Sequence, residues 1–445
     1  MTWTVIQSAK ETQSFWKDIQ AEETNQTATI RLNPEKTYQT WLGFGGAITE
    51  AVGYTLKRLP EEEKEAILKA YYDPKKGLGY SLGRMHIGSS DFSLGHYDYV
   101  DEEDDELKSF SIEHEEQYVL PVVRQAESIA GQPLTFVSSP WSPPAWMKTN
   151  NDRNHGGRLK KEYYTTWARY VVRYLLEMKE KGVRIEAVTI QNEPQAVQVW
   201  DSCLYSIEEE TEMVKVLSRA LKDAGLDTHI VIWDHNRDLL FERADGVLKD
   251  PAANEAVWGV ANHWYMSEQF EELTKVHDKY PDKHLIFTEG CIEGGVALGA
   301  WHTGERYARN IMGDMNNWLE AFIDWNIVLD ETGGPNHVGN FCDAPVIADT
   351  QSHTTHYNSS YYYIGHFSRY IKPGAKRLDL NLGDSSLTGV AFKNPDQSIA
   401  LVLLNEGDSD EASVLEIDSV VRKVSLPKHS ITTIIKPDDR NREVE

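Results

Sequence analysis

Cysteine is scarce in this chain: Cys203, Cys291 and Cys342 are the only three among 445 residues. Their number is odd and they are too scattered for a disulfide framework or a zinc knuckle. Free thiols fit a reducing compartment. Positive charge is also in short supply. Forty-five Lys and Arg stand against 70 Asp and Glu, a net charge of −25. That balance repels nucleic acid and anionic membrane surfaces. No apolar run approaches the roughly 20 residues of a membrane span. The start, Met1-Thr2-Trp3-Thr4-Val5-Ile6-Gln7, lacks the basic-then-apolar order of a signal peptide. The expectation is a cytoplasmic protein with no nucleic-acid partner and no membrane span. There is no internal repeat. Gly43-Phe44-Gly45-Gly46 lacks the spacing of a dinucleotide fingerprint. Two Asn-X-Ser/Thr sites, at Asn25 and Asn358, carry no weight without secretion. The acidic run 101–106 reads as a solvated loop rather than a metal site.

What is present is an alternation. Apolar strand-like runs lie near Leu42–Gly46, Tyr80–Ile87, Leu134–Ser138, Ala187–Ile190, His229–Trp233, Val257–His263, His284–Thr288 and Ala321–Trp325. Helical patterns separate most of them. Glu61–Tyr72 follows Pro60, a good first-turn residue. Tyr163–Lys181 stops at Gly182. Ser206–Ala224 opens on a capping box, Ser206 to Glu209. Eight strands alternating with helices predict an α/β protein built on a (β/α)8 TIM barrel, for which about 250 residues suffice. An open doubly wound sheet is the alternative. Beyond Lys372-Pro373-Gly374 the runs become short and β-like: 387–392, 398–404, 412–417 and 430–435. Residues 27–32 look similar. The expected organisation is strands from 1–40, a barrel over 41–371, and a β-sandwich over 372–445 that both chain ends build. The tail 436–445 reads as lacking regular structure.

Two glutamates end apolar runs before a chain-breaking residue: Glu193 in Gln191-Asn192-Glu193-Pro194 and Glu289 in Phe287-Thr288-Glu289-Gly290. The carboxyl end of a barrel strand is where such folds carry their chemistry. Two carboxyls facing one cleft can cut a glycosidic bond if their environments push their pKa values apart. Either Glu alone is more simply a cap or a surface residue. Aromatics cluster at three further strand ends: Trp141 in Ser139-Pro140-Trp141-Ser142-Pro143-Pro144, Tyr265 in His263-Trp264-Tyr265, and Trp325 in Asp324-Trp325-Asn326. Flat rings offer apolar faces to sugars, although such stripes more often pack cores.

The combination resembles glycoside hydrolase family 30, the glucosylceramidase family. The matching stretches are Gly43–Glu50, Ser90-Asp91-Phe92-Ser93, Ser139–Pro144, Asn192-Glu193-Pro194, Thr288-Glu289-Gly290-Cys291, and Asp324-Trp325-Asn326 running on to Gly333-Gly334-Pro335-Asn336. The resemblance implies a retaining β-glycosidase with Glu193 as acid/base and Glu289 as nucleophile. It implies substrate contacts from Asp91, Trp141, Asn192, His263, Tyr265 and Trp325, with Phe92 and Asn340 at the rim. Tyr265 would orient Glu289, and Arg84 would stand behind the carboxylates. No metal and no cofactor are implied. The implied substrate is a small or oligomeric β-glycoside, a β-glucoside first, with β-1,6-glucans, β-xylosides and β-fucosides as alternatives. Two departures bear on the leaving group: His337 stands where animal glucosylceramidases carry Trp, and segment 195–203 differs from theirs. The pattern is nearest the family's bacterial intracellular branch.

Two other readings stay open. A metal-dependent hydrolase could draw on Asp234, His235, His263, His353 and His356, but no pair has the helix spacing of a zinc protease motif. A non-catalytic carbohydrate-binding protein would keep the aromatics without needing both glutamates.

Overall fold

A computed structural model describes residues 3–417 and 419–438. The chain divides into two compact units. One is a closed parallel barrel. Its strands, in chain order, are β1 (Gly43–Ala47), β2 (Leu82–Ile87), β3 (Thr135–Pro140), β4 (Arg184–Thr189), β5 (His229–Asn236), β6 (Val257–His263), β7 (His284–Glu289) and β8 (Ala321–Asn326). All eight predicted strands are present, and the closed order removes the open-sheet alternative.

The helices form where periodicity and caps placed them. Glu61–Tyr72 has the predicted bounds. Tyr164–Glu180 buries Trp167, Tyr170, Val171, Tyr174 and Met178, positions three and four apart that form one apolar stripe. Ser206 caps Ile207–Asp223: its Oγ accepts from the Glu209 amide at 3.2 Å, and the Ser206 amide donates to Glu209 Oε2 at 2.7 Å. Such a cap contributes about 1 kcal/mol. The glycines of β1 serve packing. A Cβ on Gly45 would lie 2.2 Å from the Leu82 carbonyl oxygen, so only glycine lets β1 and β2 pair here.

Two irregularities in the barrel set the site. Between β5 and β6, Ala261 pairs with Trp233 but Asn262 with His235, which leaves Asp234 as an extra residue. Between β6 and β7, Asn262 pairs with Phe287 but His263 with Glu289, which leaves Thr288 extra. Such bulges re-aim side chains that strict alternation would send outward. Trp233 and Asp234 take φ of 71° and 49°, a left-handed conformation that costs about 1–3 kcal/mol per residue.

The other unit draws on the chain up to Gly43, on Ala297–Ala321 and on the chain from Tyr357 onward. It is a β-sandwich with ten strands in one continuous ladder. Ser430–Lys436 lies between Thr4–Ala9 and Ile399–Asn405, so both chain ends meet in it. Trp3, Val5, Ile30, Leu401, Leu415 and Ile434 share one apolar core. Lys376–Asn381 and Val420–Leu426 are strands the sequence reading did not pick out. Their charged residues blur the apolar alternation. Helices Trp301–Asn316 and Ser359–Ser368 pack together in this unit, and a Cβ on Gly304 would lie 2.6 Å from the Tyr363 ring. The last strand closes at Lys436, and residues 439–445 of the expected tail lie outside the described residues. The acidic run 101–106 is a turn-rich, largely exposed loop. Among the described residues no helix is long and apolar enough to cross a membrane.

Candidate active site

The carboxyl ends of the barrel strands open into a cavity of about 420 Å³. Glu193 and Glu289 both line it. Glu289 is the last residue of β7. Glu193 is placed differently from the sequence reading. β4 ends at Thr189, and Glu193 sits four residues on, at φ 48°. Its amide donates to the Asp234 carbonyl at 3.0 Å, and the Asn192 amide to the Pro140 carbonyl at 2.9 Å. Those two bonds tie the loop to β5 and β3. They fix the direction of the Glu193 side chain.

Arg84, on β2 and without exposed surface, organises the floor. Nη1 donates to Glu289 Oε2 at 2.5 Å; Nη2 donates to Asn192 Oδ1 at 2.9 Å and to Asp234 Oδ2 at 2.8 Å. The guanidinium also stacks over Trp141 and Trp325, 4.8 and 5.4 Å from their centroids. Burial penalises this charge, but Asp234 and Glu289 more than offset it and raise its pKa further.

Asp234 is wholly buried and its acceptor capacity is well used. Oδ2 accepts from Arg84, Ser139 and Thr189, and Oδ1 from Thr288 at 2.6 Å, with His263 Nε2 at 3.1 Å. Burial opposes the charge, yet Arg84 and these donors hold the carboxyl far below its ordinary range. The other ring nitrogen, Nδ1, lies 3.2 Å from Glu193 Oε1. Burial pushes His263 down, but the Glu289 charge and the bonds to Asp234 and Glu193 raise it to about 9.

The two glutamates differ in what surrounds them. Burial pushes Glu193 up, but the His263 hydrogen bond and the charges of His235 and His263 hold it below its ordinary value. Burial lifts Glu289, and the neighbouring Glu193 charge adds to this against the pull of His263 and Arg84. Tyr265 Oη donates to Glu289 Oε1 at 2.9 Å.

The remaining expected residues fall into two groups. Asp91, Trp141, Asn192, Tyr265, Trp325 and Asn340 line the cavity. Trp141 and Trp325 stack at 5.4 Å, and Asn336 and Asn340 donate to Asp91 Oδ2 at 3.1 and 3.0 Å. Phe92, expected at the rim, also lines the cavity, largely buried and edge-on to Trp325. His263, expected to touch substrate, has no exposed surface and does not line the cavity. It is the last residue of β6, one step below the mouth, with Glu193 and Asp234 across its two nitrogens.

The sequence reading assigned no role to Trp233, Cys291 and Cys342 on the cavity wall, and weighed His235 there only as a metal ligand. It weighed Asp234 only as a metal ligand. The polar end of the fifth strand was the available signal. Glu193, His235 and His263 do present ligand atoms within 4.8 Å of one another, a spacing a metal ion could use. His353 and His356 join no such group among the described residues.

A family model described as the glycosyl hydrolase family 30 TIM-barrel domain matches residues 41–371, and the family's beta sandwich domain matches 374–434. The chain belongs to glycosyl hydrolase family 30. Its relatives bear this out. It is 33% identical over 438 residues to the lysosomal acid glucosylceramidase of Mus musculus, covering 94% of this chain and 85% of the mouse protein. It is 30% identical over 412 residues to the endo-1,6-beta-D-glucanase of Neurospora crassa, covering 87% of this chain and 82% of that protein. The crystal structure of SrfJ from Salmonella typhimurium superposes with a TM-score of 0.94 at 35% identity, over 99% of this chain and 100% of that one. The chain is therefore a glycoside hydrolase, and the cavity at the mouth of its family 30 barrel is its candidate catalytic centre.

Proposed function

We propose that this enzyme is a retaining β-glycosidase acting on β-glucosides by double displacement, with Glu289 as nucleophile and Glu193 as acid/base. The observation that carries the reading is the pair of carboxyls on one cavity, held by different partners: Arg84 and Tyr265 at Glu289, His263 at Glu193.

In the first step the Glu289 carboxylate forms a bond to the anomeric carbon while Glu193 gives its proton to the departing oxygen. In the second, Glu193 takes a proton from water, the water oxygen bonds to the anomeric carbon, and Glu289 is released. At rest Glu193 is held low and Glu289 high, so the order needs one proton to move first. A proton passing from His263 Nδ1 to Glu193 Oε1 makes Glu193 an acid. It removes the negative charge that lifts Glu289 together with the His263 charge that lowers it, so Arg84 and Tyr265 are what remain to keep that carboxyl ionised. Asn192 is oriented by the same guanidinium. Arg84 only donates, so the Asn192 oxygen faces it and the amide NH2 is left for a sugar 2-hydroxyl. Asp91 and Asn340 supply polar contacts for the outer hydroxyls, and Trp141 and Trp325 flank the ring.

One relative is named for glucosylceramide and another for β-1,6-glucan; a β-linked glucosyl unit is common to both. The leaving-group side is bordered by Gln195, Gln198 and Trp200, with exposed Val197, Val199 and Met266 nearby. That apolar rim favours an aglycone with an apolar portion; a β-1,6-glucan is the second reading. The buried, unpaired cysteines suit a cytoplasmic setting.

A panel of aryl β-glucoside, xyloside, fucoside and galactoside, run on wild type and Glu289→Gln, tests the reading. Glucoside cleavage should lead, and fall at least about 10³-fold in the variant. Equal turnover by the variant would refute the nucleophile assignment.

A further inference from the structure

A second cluster of ligating side chains lies outside the catalytic cavity. Asp201 is buried at the end of the 195–203 segment, and its two oxygens are used differently. Oδ1 accepts from Arg153 Nε at 2.6 Å and Ser89 Oγ at 3.0 Å. Oδ2 faces two imidazoles: His96 Nδ1 at 3.1 Å and His337 Nε2 at 3.9 Å. The ligand atoms of all three lie within 4.8 Å of one another. None of the three lines the catalytic cavity.

Arg153 serves Asp201 Oδ1, which leaves Oδ2 to the two imidazoles. His337 Nδ1 lies 3.1 Å from the Ser93 carbonyl, which can only accept. The proton of a neutral His337 is therefore on Nδ1, and Nε2 presents a bare lone pair toward a carboxylate oxygen. Nε2 is buried and has no hydrogen-bond partner among the described residues. Behind His96, the Asn154 amide lies 3.3 Å from Nε2, and its Oδ1 is likewise buried without a partner among the described residues. Turning that amide over lets Oδ1 accept from His96 Nε2–H. This satisfies the orphan and turns the Nδ1 lone pair toward Asp201.

We propose that His96 Nδ1, Asp201 Oδ2 and His337 Nε2 form a site for a divalent transition metal, zinc by preference, with water completing a tetrahedron. Two imidazoles and a carboxylate are a zinc-type donor set. Tetrahedral bonds of about 2.05 Å place ligand atoms about 3.3 Å apart, so the 3.1 Å pair is already near that spacing and the 3.9 Å pair closes by about 0.6 Å. The Ser93 carbonyl and Asn154 then act as the outer partners that fix each ring's tautomer. Arg153 and Ser89 hold the carboxylate. His96 is exposed, which gives the ion a way in. The site braces the glycone end of the cavity, because the His337 amide donates to the Asp91 carbonyl at 3.2 Å.

Chelator-treated protein titrated with Zn²⁺, and separately with Co²⁺, tests the site. The expected result is one ion retained per chain after gel filtration, with Co²⁺ giving the strong visible band of a four-coordinate site. His96→Ala and His337→Ala should each weaken Zn²⁺ binding at least about tenfold. Glu193→Gln should leave uptake unchanged, which separates this cluster from Glu193, His235 and His263. Failure of the wild type to retain either ion would overturn the proposal. So would uptake that Glu193→Gln abolishes and His96→Ala leaves intact.

Discussion

His263 Nδ1 lies 3.2 Å from Glu193 Oε1, while the opposite nitrogen of the same ring lies 3.1 Å from Asp234. Asp234 is held ionised, so it can only accept, and Nε2 carries a proton. One further proton then lies between Nδ1 and Glu193, on either atom. The pair keeps it until His263 titrates, at about 9. His263→Ala leaves Glu193 to hold the proton alone, as a buried carboxyl. The basic limb of kcat/KM should shift to lower pH, with kcat reduced. A ring that served packing alone would lower activity and leave the limb where it is, so a pH profile of the variant decides.

Arg84 is a cation that Glu289, Asp234 and Asn192 share. Arg84→Met strands two buried carboxylates without it, and breaking a buried pair in this way costs about 3–5 kcal/mol. Arg84→Lys keeps the charge but lacks the fork that reaches three acceptors at once. It should retain most of the stability and still lose about 10²-fold in kcat/KM, because Glu289 and Asn192 are no longer co-oriented. Denaturant unfolding and initial rates on both variants separate the two effects. Full activity in Arg84→Lys would show that charge, not geometry, is what this residue supplies.

Much of this was legible in the sequence, and the parts that were not share a cause. The eight strands showed because buried parallel strands are near-continuous apolar runs bounded by turn residues. Ser206 and Glu209 announced a helix start through their spacing alone. Glu193, Glu289 and Trp325 stood out together because each ends an apolar run, while Asp91 was reached only through the family resemblance. His263 was misplaced because whether a residue at a strand's end faces the cavity or lies beneath it depends on the bulges at Asp234 and Thr288. A bulge adds one residue to a ladder and leaves no compositional mark. Asp234 was undervalued for the same reason. Lys376–Asn381 was missed because its burial depends on partners distant in sequence, Thr40 and Lys393 among them.

Asp91 should make stability depend on pH near neutrality. Burial, aided by the Glu289 and Asp201 charges, pushes its carboxyl from 3.8 up to about 7, against the donated bonds from Asn340 and Asn336. A carboxyl raised in the folded state contributes stability that is fully present below its unfolded value. That stability is lost as pH rises through the folded value, here between about 4 and about 7. Asp91→Asn carries no charge at any pH and should escape the loss. The stability of the variant relative to wild type should therefore grow from pH 4 to pH 8, by at most about 4 kcal/mol. Urea unfolding at several pH values measures it, and a difference that stays flat with pH would contradict it.

The most direct test of the catalytic assignment is covalent trapping. A 2-deoxy-2-fluoro-β-glucoside with a good leaving group slows both steps but lets the first outrun the second, so the glycosyl-enzyme accumulates. Peptide mass spectrometry then locates the sugar. The expected result is one adduct per chain, on Glu289, with activity recovering as the adduct hydrolyses. An adduct on Glu193 or Asp234, or inversion of the anomeric centre with no adduct, would contradict retention through Glu289.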